Sequence, residues 1–216
     1  MIFNKNLGGW CLIMTHKKLI GIDLDGTLTN FKKIDHEIID SMFKGKKVIY
    51  LIDKISWFVN DFDFLPNTQR ILCLRFILYS IFSFKSYNYI YNKYKELYIL
   101  KTIKELNTIM KLLNEQYSKF EFVIISNNLL LKDFKFDNDI IILFDNSKEK
   151  IIKKIIKEKD FFCFIGNNYF NDIYTSYKFN IKSVYVGKSK LVKKLKKVKL
   201  SCDNIFEALD ILSEEV

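Results

Sequence analysis

The sequence predicts an α/β protein with a Rossmann-like parallel-sheet core and a helical insertion after the first strand. Three observations predict it. Apolar runs of strand length stand at 19–22 and again from Phe120 onward, apolar residues at helical spacing fill the region between them, and helical segments alternate with the later strands. Strands alternating with helices make a parallel sheet whose crossovers lie on its faces.

The first strand is read from LIGIDLDGTL, where an apolar run with β-branched Ile20 and Ile22 suits a strand buried on both faces. Asp23 and Asp25 emerge at its C-terminal end, and Gly26 lets the chain turn there. The crevice outside the strand C-termini is where open α/β sheets bind ligands, so two acids at that point ask for a chemical reason.

From 30 to 118 the spacing predicts a helical cap. Ile34, Ile38, Ile39 and Met42 form one stripe, and Pro66, Asn67 and Thr68 mark a helix start leading into the apolar run 71–84. That run is too short to span a bilayer and contains Arg75, so it is expected as a buried helix rather than one at a membrane surface. A longer helix over 87–117 carries Leu97, Leu100, Ile103, Leu106, Ile109, Met110 and Leu113 as its apolar face. Its opening tyrosines, Tyr87, Tyr89, Tyr91, Tyr94 and Tyr98, are read as packing and rim residues.

Strand-like runs then return at 120–126, 139–145, 161–166 and 182–187, with an amphipathic helix over 148–159 and a shorter one over 171–179. The core is therefore placed at 17–29 and 119–216, the cap at 30–118, and residues 1–16 are expected to be an N-terminal extension, with 1–13 upstream of the natural start.

With 216 residues and 49% apolar content, the chain can bury a sizeable core and is not a disordered polymer. The net charge of +10 permits attraction to polyanions, phosphorylated substrates or an anionic membrane. The densest basic block, KSKLVKKLKKVK at 188–199, contains none of the aromatics that stack on bases, so it is read as a solvated face and no nucleic-acid partner is expected. Cys11, Cys73, Cys163 and Cys202 show no zinc-ligand spacing, and a reducing cytoplasm is the expected location. His16 and His36 are read as surface residues, and Asp61 and Asp63 as part of a loop before a helix.

The ends of the strands carry the chemistry. They read Asp23-Leu24-Asp25-Gly26-Thr27, then Ser126-Asn127-Asn128, then Lys148 opening a helix, then GNNYFND from Gly166 to Asp172. In a parallel sheet these segments converge on one edge. Their order and content resemble the four motifs of the haloacid dehalogenase-like hydrolase superfamily, in the phosphatase type with a cap inserted after the first motif.

The resemblance covers most of 18–187 and implies a role for each residue. Asp23 is the nucleophile toward phosphorus, since a carboxylate can form an acyl phosphate. Asp25 protonates the leaving oxygen and later deprotonates water; in the family this second acid accompanies phosphoryl transfer, whereas carbon–halogen cleavage does without it. Ser126 and Lys148 hold phosphoryl oxygens, with Thr27, Asn127 and Asn171 as further substrate contacts. Lys150 is an equally short move along the chain from Lys148. The family pattern implies Mg²⁺ held by Asp23, the Asp25 carbonyl and the fourth motif, here Asn167 and Asp172. Asn167 departs from the family's usual aspartate and removes a charge from the metal shell. The implied function is hydrolysis of a small phosphorylated metabolite; a catalytically weakened binding protein, membrane-peripheral through 71–84, and a phosphomutase share the same residues.

Overall fold

The computed structural model describes residues 17–60, 68–132 and 140–216. The extension, His16, Cys11, Asp61 and Asp63, and the turn at Pro66 lie outside them. The chain divides into two compact units, Met1–Thr29 with Leu106–Val216, and Asn30–Glu105.

The first unit is built on a six-stranded, all-parallel sheet in the order β3-β2-β1-β4-β5-β6. The strands are β1 (Lys18–Asp23), β2 (Phe120–Ser126), β3 (Ile142–Phe144), β4 (Phe161–Gly166), β5 (Lys182–Val186) and β6 (Leu200–Cys202). Alternation along the strands sends Leu19, Val123 and Ile125 to one face, where they pack with Ile151, Ile152 and Ile155 of α5 (Lys148–Glu158). Ile20, Ile22, Ile124 and Ile165 are fully buried on the other. Both faces are covered, which is why β1 and β4 read as unbroken apolar runs. Cys163 lies in β4 with its thiol pushed up to about 12, chiefly by burial. The strand order reverses beside β1, at the switch point where such sheets open a crevice.

Two expectations change here. The run 139–145 contributes only Ile142–Phe144 as strand. Residues 171–179 become a π-helical turn at Tyr169–Tyr174 followed by the short α6 (Thr175–Lys178). The basic block holds one short helix, α7 (Lys190–Lys193), and β6 then closes the sheet before α8 (Ile205–Glu214). One lysine of that block meets an aromatic ring, Lys197 Nζ lying 3.2 Å from the ring centre of Tyr177.

The second unit holds α1 (Phe31–Met42), α2 (Lys47–Asn60), α3 (Thr68–Ser83) and most of α4 (Tyr87–Gln116). Asn30 caps α1 by accepting from Lys33 N at 3.1 Å. The buried face of α4 runs through Tyr94, Tyr98, Thr102, Leu106, Met110 and Leu113, whereas Leu100 is exposed. The predicted leucine stripe is thus rotated toward the tyrosines in its first half.

Of these tyrosines, Tyr94 serves a buried polar centre, and Tyr98 stacks on Tyr94. Arg75, on α3, donates to both carboxylate oxygens of Asp35 at 2.7 Å and to Asp53 Oδ1 at 3.0 Å. Trp57 Nε1 donates to Asp35 Oδ2 at 2.8 Å, Tyr94 donates to Asp35 Oδ1, and Tyr79 donates to Asp53 Oδ1 at 3.1 Å. His36 is not a lone surface residue: its Nδ1 lies 2.6 Å from Asp53 Oδ2. Burial opposes the Arg75 charge, yet Asp35 beside it holds its pKa above the ordinary arginine value.

Removing one partner of such a group leaves buried charge uncompensated. Arg75→Ala is expected to destabilise the protein by about 3–5 kcal/mol in urea denaturation, whereas Lys93→Ala, which breaks an exposed pair on α4, changes stability by under about 1 kcal/mol.

Candidate functional site

Register places the candidate residues. Asp23 pairs with Ile125 and Ile22 with Ile165, so the ends of β1, β2 and β4 bring Asp23, Ser126 and Gly166 to one edge of the sheet. Asp23 shares a face with Leu19, the face covered by α5, and Lys148 is the first residue of that helix. A lysine in the first turn is disfavoured by the helix dipole, so its position needs a partner of opposite charge.

It has two. Lys148 Nζ donates to Asp23 Oδ1 and, at 2.6 Å, to Asp172 Oδ1. All three are withdrawn from water, at 5% exposure for Asp23, 5% for Lys148 and 0% for Asp172. Lys150 and Lys153 are exposed on the far side of α5.

Asp172 is held from its other oxygen. Asn168 N donates to Asp172 Oδ2 at 2.8 Å, and the Asn168 side chain accepts from Asn171 N at 2.9 Å. This reciprocal capping fixes the start of the π-helical turn and aims the carboxylate back at the sheet. Gly166 makes room for it, because a Cβ there would sit 2.3 Å from Asp172 Oδ2.

The loop after β1 is tight. Gly26 N donates to Thr29 O at 2.8 Å with Gly26 at φ +86°, and a Cβ on Gly26 would fall 2.0 Å from Asn167 Nδ2. Asn167 therefore packs its amide on the backbone of the aspartate loop. Thr27 Oγ1 lies 3.4 Å from Asp23 Oδ2.

Asp25 is only partly buried and accepts from Asn128 Nδ2 at 2.7 Å. Asn128 N in turn donates to the buried hydroxyl of Ser126 at 3.0 Å. Asn128 is the residue that sequence reasoning passed over in favour of Asn127; the signal was its place two residues after the strand, where an Asn side chain also turns the backbone, here accepting from Leu130 N at 3.0 Å. Asn127 is half-buried beside it. Asn171 enters the geometry through its backbone N–H.

Charge is unbalanced at this edge. Burial pushes the Asp23 carboxyl up to about 7; Lys148 opposes that rise, while Asp172 and Asp25 add to it. Burial also opposes the charge on Lys148, but Asp172 and Asp23 outweigh it and hold its pKa above the ordinary lysine value. One ammonium thus serves two buried carboxylates, with a third acid adjacent. Oxygen donors with surplus negative charge suit a hard divalent cation, and Asp23, Asp172, the Asp25 carbonyl and the Asn167 amide oxygen are the groups that would hold one.

No family model matches the sequence, and no curated protein does. Solved structures do. The putative HAD-hydrolase YfnB of Bacillus subtilis, itself bound to magnesium, superposes with a TM-score of 0.61 at 14% identity, covering 91% of this chain and 99% of that one. The haloacid dehalogenase-like protein SP0104 of Streptococcus pneumoniae gives 0.53 at 16% identity, covering 92% and 100%. The chain has the fold of the haloacid dehalogenase-like hydrolases.

Proposed function

We propose that the chain is a Mg²⁺-dependent phosphatase that hydrolyses a small phosphomonoester through an aspartyl-phosphate. The observation that carries this reading is the buried Asp23–Lys148–Asp172 chain at the sheet edge, with a second acid, Asp25, turned toward Asn128 beside it. That second acid favours phosphoryl transfer over carbon–halogen cleavage.

An oxygen of Asp23 attacks phosphorus, and the ester oxygen leaves with a proton from Asp25. Water then attacks the acyl phosphate as Asp25 takes its proton, releasing inorganic phosphate and restoring Asp23. Lys148 stabilises charge on the phosphoryl oxygens, with the Ser126 hydroxyl nearby. Mg²⁺, when bound, supplies the positive charge that lets two anions meet. Asn128 holds the Asp25 carboxylate in place through its 2.7 Å hydrogen bond.

The test is phosphate release from an aryl phosphate with and without Mg²⁺. Turnover is expected only with the metal, Asp23→Asn is expected to lower kcat by about 10³-fold or more, and Asp25→Asn by about 10²- to 10⁴-fold. Absence of turnover at saturating Mg²⁺ overturns the reading in favour of a binding protein, for which the uncharged Asn167 is the supporting feature. Asn167→Asp is expected to tighten Mg²⁺ binding, read as a larger metal-dependent rise in melting temperature.

Charge at the site also sets a pH dependence. Between 3.8 and about 7 the folded chain keeps a proton on Asp23 that the unfolded chain has released. Stability from this group is therefore fully present at low pH and lost as pH rises through that window. In EDTA, wild type minus Asp23→Asn is expected to show a melting temperature falling from pH 5 to pH 8, and Mg²⁺ is expected to reverse the fall.

A further inference from the structure

Among the described residues, a large apolar surface of the second unit lies uncovered. On α3, Phe76 and Tyr79 face inward, yet Leu74, Ile77, Leu78, Ile81 and Phe82 face outward, with Leu74 62% and Ile81 59% exposed. Over 74–84, the part of the run whose side chains are described, one face is buried and the other exposed, so the helix is not buried on both sides as its composition predicts. Its neighbour α2 repeats the arrangement: Ile49, Asp53 and Trp57 turn inward, while Val48, Leu51 and Ile55 are exposed. The contacts of Arg75 and Tyr79 with Asp53 fix the inner faces of the two helices together, so their outer faces form one layer. A helix apolar on both sides needs two apolar neighbours, and the described residues supply one. Isolated exposed apolar residues are ordinary; this many on adjoining helices mark an interaction surface.

The charges around it select the partner. Among the described residues from Ser41 to Asn92, every exposed charged side chain is a lysine: Lys44, Lys46, Lys47, Lys54 and Lys85. Asp53 and Arg75 are buried in the polar centre, and Asp40 at the margin is engaged by the Tyr50 hydroxyl. Lys47 and Lys54, seven apart on α2, run along one side of the Val48–Leu51–Ile55 stripe. A second copy of the chain in a two-fold pairing would set this lysine rim against itself. An anionic bilayer offers both complements, acyl chains to the aliphatic side chains and negative headgroups to the lysines. Among the described residues no helix is long and apolar enough to cross a membrane.

We infer that the outer face of α2 and α3 docks the protein onto anionic lipid, a property that goes beyond the phosphatase reading and does not depend on it. The test is flotation of the full chain with vesicles of phosphatidylcholine, with and without phosphatidylglycerol. Binding is expected only to the anionic vesicles and to weaken with salt. Lys47→Gln and Lys54→Gln are each expected to lower affinity about fivefold, and Ile77→Ser with Ile81→Ser on the order of tenfold or more. These positions are exposed, so unchanged melting temperatures and circular dichroism verify the fold. Failure to float with anionic vesicles, or equal flotation with neutral ones, overturns the inference. So does a dimer in light scattering that the serine pair converts to monomer without any vesicle binding.

Discussion

The ammonium of Lys148 joins three elements that are far apart in sequence: the end of β1, the first turn of α5 and the turn after β4. Each has a local reason to be there. Strand pairing sets the height of Asp23, the apolar stripe of α5 sets the helix against the sheet, and the Asn168–Asp172 capping pair folds the last segment back. Local structure alone would leave two buried acids in mutual repulsion. The lysine makes that arrangement tenable, and it does so from a helix position that the backbone dipole disfavours. Buried ion groups of this kind are poor sources of net stability compared with apolar packing. Their presence at the sheet's switch point is better explained by what they can do to a ligand.

Much of this was legible in the sequence because period and charge coincide. A strand buried on both faces has to be apolar throughout, so the abrupt change to acid at Asp23 marks both the strand end and the site. Ser126 and Gly166 are legible by the same logic. The fourth motif's turn was less so: a π-helical turn leaves no distinct period, and Asn168 looks like any loop asparagine until its two hydrogen bonds are drawn. Asn128 shows the same blindness, since two adjacent asparagines differ only in where the backbone points them.

The second unit was read less well, for a physical reason. Periodicity reports which side chains are alike, not which side of a helix faces inward. On α3 the two sides are almost equally apolar, so the sequence could not reveal that the inward face carries Arg75 and the outward face the leucines and isoleucines. On α4 the inward face is aromatic because Tyr94 must reach Asp35, a constraint set by a residue more than fifty positions away.

The protein thus contains two buried acid clusters, each with two carboxylates and one permanent cation, and they differ in how fully their carboxylate oxygens are engaged. In the cap, Asp35, His36 and Asp53 bring metal-ligand atoms together, but Arg75 already spans both carboxylates. Trp57, Tyr79, Tyr94 and His36 then occupy the remaining oxygen positions. A metal there would have to displace a guanidinium that matches a carboxylate in both charge and shape. At the sheet edge the cation is a lysine, a point charge on a flexible stem, and the second oxygen of Asp23 has, among the described residues, a single contact, the 3.4 Å approach of Thr27. Every carboxylate oxygen has a close donor in one cluster, and one oxygen lacks it in the other. Engagement of every carboxylate oxygen marks the second unit's cluster as a structural centre, whereas the second oxygen of Asp23 lacks a close donor among the described residues.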